Sequence, residues 1–227
     1  MNNQIYPVPG KIKLYLGPMF SGKSSRLIET MRKYSFKFKK TIMINFSGDH
    51  RYSEKSEVVT HDKIKMNCLM CSKLEPSYKL LLDYDAIGID EGQFFSDIVE
   101  ISEKLCMKGK IVVVAALSGD FKMEPFPNIS RLISKADKIK LMKAYCHFCQ
   151  NSAGFSLRTV QSDETILIGS SEAYLPTCKK CYYEHMKIKF NSPKKEKAIL
   201  SLKKDISEIN LKNSNGTNDK ENSSNNI

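Results

Sequence analysis

The chain has 227 residues, 41% of them hydrophobic, and a formal net charge of +11 at pH 7. That length suits one α/β domain with its own core plus a small appendage, and no apolar run approaches the ~20 residues of a membrane span. The charge invites nucleic acid as a partner, but it is lysine spread along a chain rich in Asn and Ile, so a solvated basic face is favoured and nucleic-acid binding is not expected.

The start, Met1-Asn-Asn-Gln4, has neither the charge nor the apolar stretch of a signal peptide, which points to a cytoplasmic protein. Seven cysteines, an odd number, then suit reduced thiols and a metal better than disulfides. Lys11 to Leu16 alternates like a strand, and Gly17-Pro18-Met19-Phe20-Ser21-Gly22-Lys23-Ser24 follows as the G-x-x-x-x-G-K-S phosphate loop. In such a loop the backbone N–H groups cradle phosphate, Lys23 reaches the β- and γ-phosphates, and Ser24 can ligate Mg²⁺. From Ser24 to about Phe36, Leu27, Ile28, Met31 and Tyr34 make a helical stripe.

Strands are expected over residues 41–45, 86–90 and 111–117, the last two nearly continuous apolar runs of the kind buried on both faces of a parallel sheet. Between them an amphipathic helix runs from about Asp97 to Lys108, carrying Ile98, Ile101 and Leu105, with Gly109 as its stop. A last sheet strand fits 137–143. Cysteines and polar residues then take over, with one short strand at Thr165 to Gly169. The fold class is therefore α/β: a phosphate-loop, RecA-like, mostly parallel sheet flanked by helices, with a small C-terminal zinc-ribbon or lasso element. The expected domains are 1–143 for the phosphate-loop domain, 144–190 for the zinc-binding lasso, and 191–227 for a basic, Asn-rich tail, partly disordered. Within that tail, Ile199, Leu202, Ile206 and Ile209 fit either a short docking helix or an incidental pattern.

Two adjacent carboxylates, Asp90 and Glu91, close the strand at 86–90, at the sheet edge where ligands of open α/β sheets bind. Asp90 fits the strand-end acid that holds Mg²⁺ together with Ser24, leaving Glu91 free as a general base toward an acceptor hydroxyl, or toward water in a helicase-like ATPase. Cys146-His-Phe-Cys149 and Cys178-Lys-Lys-Cys181, with 28 residues between them, aim four thiolates at one zinc ion. His147 or His185 could replace one thiolate. Cys68 and Cys71 form a third C-x-x-C, which helix-face spacing explains without metal, and Cys106 reads as a small core residue.

In combination the chain resembles the type II, zinc-containing thymidine kinases. The shared features run in order through Gly17 to Ser24, Asp49-His50-Arg51-Tyr52, Thr60-His61-Asp62, Gly88 to Phe95, Ala115 to Leu117 with Phe121 and Pro125-Phe126, both C-x-x-C pairs, and Ile168-Gly169 leading to Tyr174. By this resemblance Glu91 is the general base, Arg51 stabilises transferred charge, and Asp49, His50 and Gln93 join the phosphate loop and Asp90 around ATP. The thymidine pocket maps to Met19, Phe94, Leu117, Phe121, Phe126, Ser156 and Tyr174, with Thr165, Ile166, Leu167, Ile168 and Gly169 reading the base edge through the backbone. Ser118, Ser156, Ser170 and Lys179 depart from the Asp, Thr, Gly and Arg common in that family. The resemblance implies ATP and thymidine as substrates, deoxyuridine as a further acceptor, Mg²⁺ and a structural Zn²⁺, a homotetramer, and thymidine triphosphate as feedback inhibitor, in pyrimidine salvage. The competing reading is a RecA- or helicase-like ATPase whose zinc ribbon binds DNA.

Overall fold

The computed structural model describes residues 9–38, 40–48, 57–59, 65–67, 69–159 and 173–190. The chain divides into two units, Met1–Tyr182 and Tyr183–Ile227, the second described as the later part of one helix. In chain order the elements are β1 (Lys11–Gly17), α1 (Lys23–Lys37), β2 (Thr41–Phe46), β3 (Glu57–Val59), β4 (Lys65–Asn67) and β5 (Leu69–Cys71). Next come α2 (Tyr78–Leu81), β6 (Ala86–Ile89), α3 (Ile98–Met107), β7 (Ile111–Leu117), α4 (Pro127–Ile133) and β8 (Lys138–Leu141). The chain then forms β9 (Ala144–Tyr145), β10 (Ser152–Ala153), β11 (Phe155–Arg158), β12 (Tyr174–Thr177) and α5 (Lys179–Phe190).

Six strands form one sheet in the order β5-β2-β6-β7-β1-β8, and every neighbouring pair is parallel. The α/β reading thus holds. Helices cover both faces, which is why β6 and β7 read as unbroken apolar runs. On one face Val113 and Ala115 pack with Leu27, Ile28 and Met31 of α1. On the other, Val112, Val114 and Ala116 pack with Ile98, Ile101 and Leu105 of α3 and Ile129 and Leu132 of α4. Alternate residues of β7 therefore serve two separate cores, as the period-two geometry of a strand requires. The arrangement brings the C-terminal ends of β1, β6 and β7 side by side.

Helix α3 ends one residue inside the expected span at each side, and Gly109 adopts φ 77° after it, the left-handed stop that glycine accommodates. Strand β8 occupies the middle of the expected 137–143 segment, as an exposed edge. The helix-face explanation of the Cys68 and Cys71 spacing does not hold: Cys71 ends β5, paired in parallel with β2, while Cys68 lies outside the described residues. Strand β5 escaped notice because Leu69-Met-Cys71 is too short for a period to register. The strand expected at Thr165 to Gly169 and everything after Phe190 also lie outside the described residues. Among the described residues, no helix is long and apolar enough to cross a membrane.

Two antiparallel pairs, β9 with β10 and β11 with β12, follow the sheet. Their small core consists of Ala144, Cys146, Ala153 and Cys181, with Cys178 packed against it. A core made of alanines and cysteines alone buries too little to hold itself together, and a metal ion is the usual remedy.

Candidate active site and metal centre

The phosphate loop joins β1 to α1 through two left-handed residues, Phe20 at φ 63° and Gly22 at φ 75°. Successive turns of this kind point backbone N–H groups into one concavity, suited to an anion. Gly17 admits no side chain, because a Cβ there would stand 2.6 Å from the Met142 carbonyl oxygen and 2.7 Å from Ser21 Oγ. Ser21 Oγ donates to the Pro18 carbonyl at 2.8 Å, and Lys23 Nζ donates to the same oxygen at 2.6 Å. The loop's own carbonyl thus holds the ammonium inside the concavity, beside the N-terminus of α1.

Asp90 follows β6 and is 4% exposed, with its Oδ1 accepting the Glu91 N–H at 3.0 Å. Burial, and then the charge of Glu91, push its carboxyl up to about 7, opposed by a hydrogen bond from Ser24 and by the Lys23 charge. Ser24, Lys23 and Asp90 therefore meet. Ser24 and Asp90 offer oxygen donors only, the set that a hard divalent cation prefers, and a cation would relieve the crowding of the two carboxylates.

Glu91 occupies the left-handed region at φ 53°, a conformation that costs a non-glycine residue of order 1 kcal/mol or more and that tertiary contacts must hold in place. Gln93 supplies one of those contacts: Nε2 donates to Glu91 Oε2 at 2.6 Å, while Oε1 accepts the Leu117 N–H at 3.1 Å. The acid of β6 is thus braced against the end of β7. Gln93, expected among the ATP-binding residues, is 5% exposed, with both ends of its amide bonded within the protein. Asn128, which the sequence analysis missed, clamps the same turn, its Nδ2 donating to the Gln93 and Phe95 carbonyls at 3.0 and 2.9 Å. Nothing in the local pattern around Asn128 could have revealed a bond that spans 35 residues.

The expected pocket residues that are described stand in several settings. Met19 is 7% exposed, and its N–H donates to Ser156 Oγ at 3.0 Å, tying the phosphate loop to β11. Phe94 packs on Phe46 with ring centroids 5.3 Å apart, and Phe126 leans on the main core. Phe121 and Tyr174 gather around Arg158, whose guanidinium lies 3.7 Å from the Phe121 ring centroid and donates from Nη2 to Tyr174 Oη at 2.7 Å. Leu117, half-buried, ends β7 next to Gln93. Ser156 also lines a cleft of about 230 Å³ with Pro18, Ser118, Asp120, Lys143 and Phe155. Asp49, His50, Arg51, Thr165, Ile166, Leu167, Ile168 and Gly169 lie outside the described residues.

Cys146, Cys149, Cys178 and Cys181 place their sulfurs within 4.8 Å of one another, with Cys149 and Cys178 at 3.6 Å. Four thiolates about 2.3 Å from a tetrahedral zinc would stand roughly 3.8 Å apart, so the donor set and its spacing fit the ion. The turn between β9 and β10 presents the first pair: the Cys146 N–H bonds the Asn151 carbonyl, the Gln150 N–H bonds the Cys146 carbonyl, and Gln150 turns left-handed at φ 61°. Burial works against the Cys146 thiolate, but hydrogen bonds from the Cys178, Cys149 and Phe148 backbone bring its thiol down to about 6, while burial and the sulfurs of Cys178, Cys149 and Cys146 push the Cys181 thiol up. Burial, with the charge of Asp97, also pushes Cys71 up to about 11 and keeps it a thiol. His147 stacks on Phe148 and stands outside the four-sulfur group.

A family model described as thymidine kinase matches residues 10–182, from β1 through the fourth cysteine. Thymidine kinase 1 of Dictyostelium discoideum is 45% identical over 178 residues, which cover 77% of this chain and 78% of that protein. The thymidine kinase of vaccinia virus (strain Western Reserve) is 42% identical over 175 residues, covering 77% of this chain and 98% of the viral one, and that of monkeypox virus matches to the same extent. Since this similarity takes in the phosphate loop, the paired acids and all four clustered cysteines, the chain belongs to the thymidine kinase family.

Proposed function

We propose that the chain transfers the γ-phosphoryl group of ATP to the 5'-hydroxyl of thymidine, with deoxyuridine as a further acceptor. The observation that carries this reading is the division of labour after β6: Asp90 is bonded to Ser24 of the phosphate loop, whereas the neighbouring Glu91 is held by Gln93. One acid is thus suited to a cation and the other to a proton.

In this mechanism the loop amides grip the ATP phosphates, and Lys23 exchanges the Pro18 carbonyl for the β- and γ-oxygens. Ser24 and Asp90 would hold Mg²⁺, which when bound neutralises phosphate charge. Glu91 accepts the proton of the 5'-hydroxyl as that oxygen attacks the γ-phosphorus and ADP departs. Arg51, flanked by Asp49 and His50, stabilises the charge in transit. The thymine pocket takes Met19, Phe94, Leu117, Phe121, Phe126, Ser156 and Tyr174, and the backbone of 165–169 reads the base edge.

A zinc ion in the four-cysteine cluster acts as a staple, and its thiolates suit a reducing, cytoplasmic setting. The functional division falls near residue 143, with the lasso to residue 190 and a tail beyond, although sheet and cysteine element share one compact unit to Tyr182. A homotetramer inhibited by thymidine triphosphate completes the reading.

The test is Glu91→Gln, which keeps shape and the Gln93 contact while removing the base. Phosphorylation of thymidine should fall about 10²-fold or more with ATP affinity nearly unchanged. Wild-type turnover in the folded variant would remove Glu91 as base.

A further inference from the structure

Phe121 sits in the turn between β7 and α4, and two residues from the cysteine-bearing element hold it at two points. Arg158, the last residue of β11, is 3% exposed and stacks its guanidinium 3.7 Å from the Phe121 ring centroid. Tyr182, 4% exposed and directly after the fourth clustered cysteine, donates its hydroxyl to the Phe121 carbonyl at 2.7 Å. Ring and backbone of one aromatic residue are therefore fixed from two different elements.

Arg158 also faces Tyr174. The two are cross-strand partners in the β11–β12 register, so their side chains share one face of that pair, and Arg158 Nη2 donates to Tyr174 Oη at 2.7 Å. The guanidinium carbon stands 5.3 Å from the Tyr174 ring centroid. The turn itself is braced internally, with Asp120 Oδ1 accepting the Lys122 and Glu124 N–H groups and Met123 at φ 66°. Those bonds shape the turn but leave the Phe121 ring's direction to what it packs on.

We propose that Arg158 and Tyr182 are positioning residues for the nucleoside acceptor: they hold Phe121 and Tyr174 in register as two lining residues of the base pocket. Neither needs to touch the substrate. A planar guanidinium can stack on one ring while its edge donates to the hydroxyl of another; a lysine ammonium has no plane to stack and cannot reproduce both contacts. Tyr182 adds a link from the cysteine cluster, because its own N–H bonds the Cys178 carbonyl at 3.0 Å. Order at the cluster thereby reaches the Phe121 turn through one side chain.

This inference rests on the proposed reading of Phe121 and Tyr174 as lining residues of the thymidine site, and the experiment separates the two. Full-length protein and the variants Arg158→Lys, Tyr182→Phe, Phe121→Ala and Tyr174→Ala are compared for thymidine KM, ATP KM, kcat and zinc per chain. Arg158→Lys should raise thymidine KM about tenfold and Tyr182→Phe several-fold, with ATP KM and zinc content as in the parent. The double variant should fall short of the product of the two single effects, because both act on one residue. If Phe121→Ala and Tyr174→Ala raise thymidine KM but Arg158→Lys and Tyr182→Phe do not, the positioning role is wrong and the pocket stands. If Phe121→Ala and Tyr174→Ala leave thymidine KM unchanged, the pocket reading itself fails. Equal losses for ATP and thymidine, with zinc lost, would make the two residues mere supports of the fold.

Discussion

Lys23 shows how much one side chain can be asked to do. Its ammonium lies on the Pro18 carbonyl, inside the concavity that Phe20 and Gly22 create by turning left-handed, so it is stored where an anion would arrive. Phosphate oxygens carry full charge and a carbonyl only a dipole, so the exchange favours bound nucleotide, and more so as charge builds in the transition state. Lys23→Ala should accordingly weaken ATP binding and lower single-turnover transfer together. Equilibrium titration and rapid quench give the two quantities, and unchanged values in both would remove the phosphate-binding role of the loop. Glu91 makes a different residue-scale point. Its left-handed backbone is strained, and the strain is sustained by the bond from Gln93 and by the turn that Asn128 secures.

At the scale of elements, β6 delivers both acids, and the turn after it decides where they point. Gly92 in that turn packs so closely that a Cβ would stand 2.4 Å from Val114 Cγ1, which seats the turn on β7. Asn128 then fastens it from α4 through two carbonyls. Asn128→Ala would take this donor from the Gln93 carbonyl and leave the Phe95 carbonyl with the Ile98 N–H alone, at a cost of roughly 1–3 kcal/mol. Denaturant unfolding should register that loss, and kcat should fall because Glu91 loses its brace, while ATP KM stays close to the parent value. A stability loss with kcat untouched would mean that the turn holds Glu91 without help from α4.

For the whole molecule, a four-cysteine cluster remote in sequence from the phosphate loop bears on the acceptor side of the site. Its small core of cysteines and alanines buries little, so order there would depend on an ion held by the four thiolates, whereas the sheet has two apolar cores of its own. Removing the metal should therefore loosen the acceptor side and spare the loop. Cys178→Ser should lose zinc and raise thymidine KM well beyond ATP KM, while Cys71→Ser, a protonated thiol on β5, should keep one zinc per chain. Metal analysis together with kinetics for both substrates decides it, and full zinc in Cys178→Ser would exclude the four-sulfur assignment.

The amino-acid sequence by itself determined the parallel sheet, the phosphate loop and the two cysteine pairs. Each of these is a local demand on the backbone or a short spacing: glycines where φ is positive or a carbonyl approaches, apolar runs where both faces are covered, paired thiols at one turn. Family membership was legible for the same reason, since it resides in the order of such motifs. Other features were decided only by the tertiary structure. Gln93 bridges Glu91 to Leu117, Asn128 holds a turn on another element, Ser156 bonds the Met19 N–H, and Arg158 joins Phe121 to Tyr174. These bonds link residues far apart in the chain, and a polar side chain gives no local sign of the distant partner it will meet. Strand β5 was hidden for a related reason: three residues carry no period, and only pairing with β2 makes them a strand.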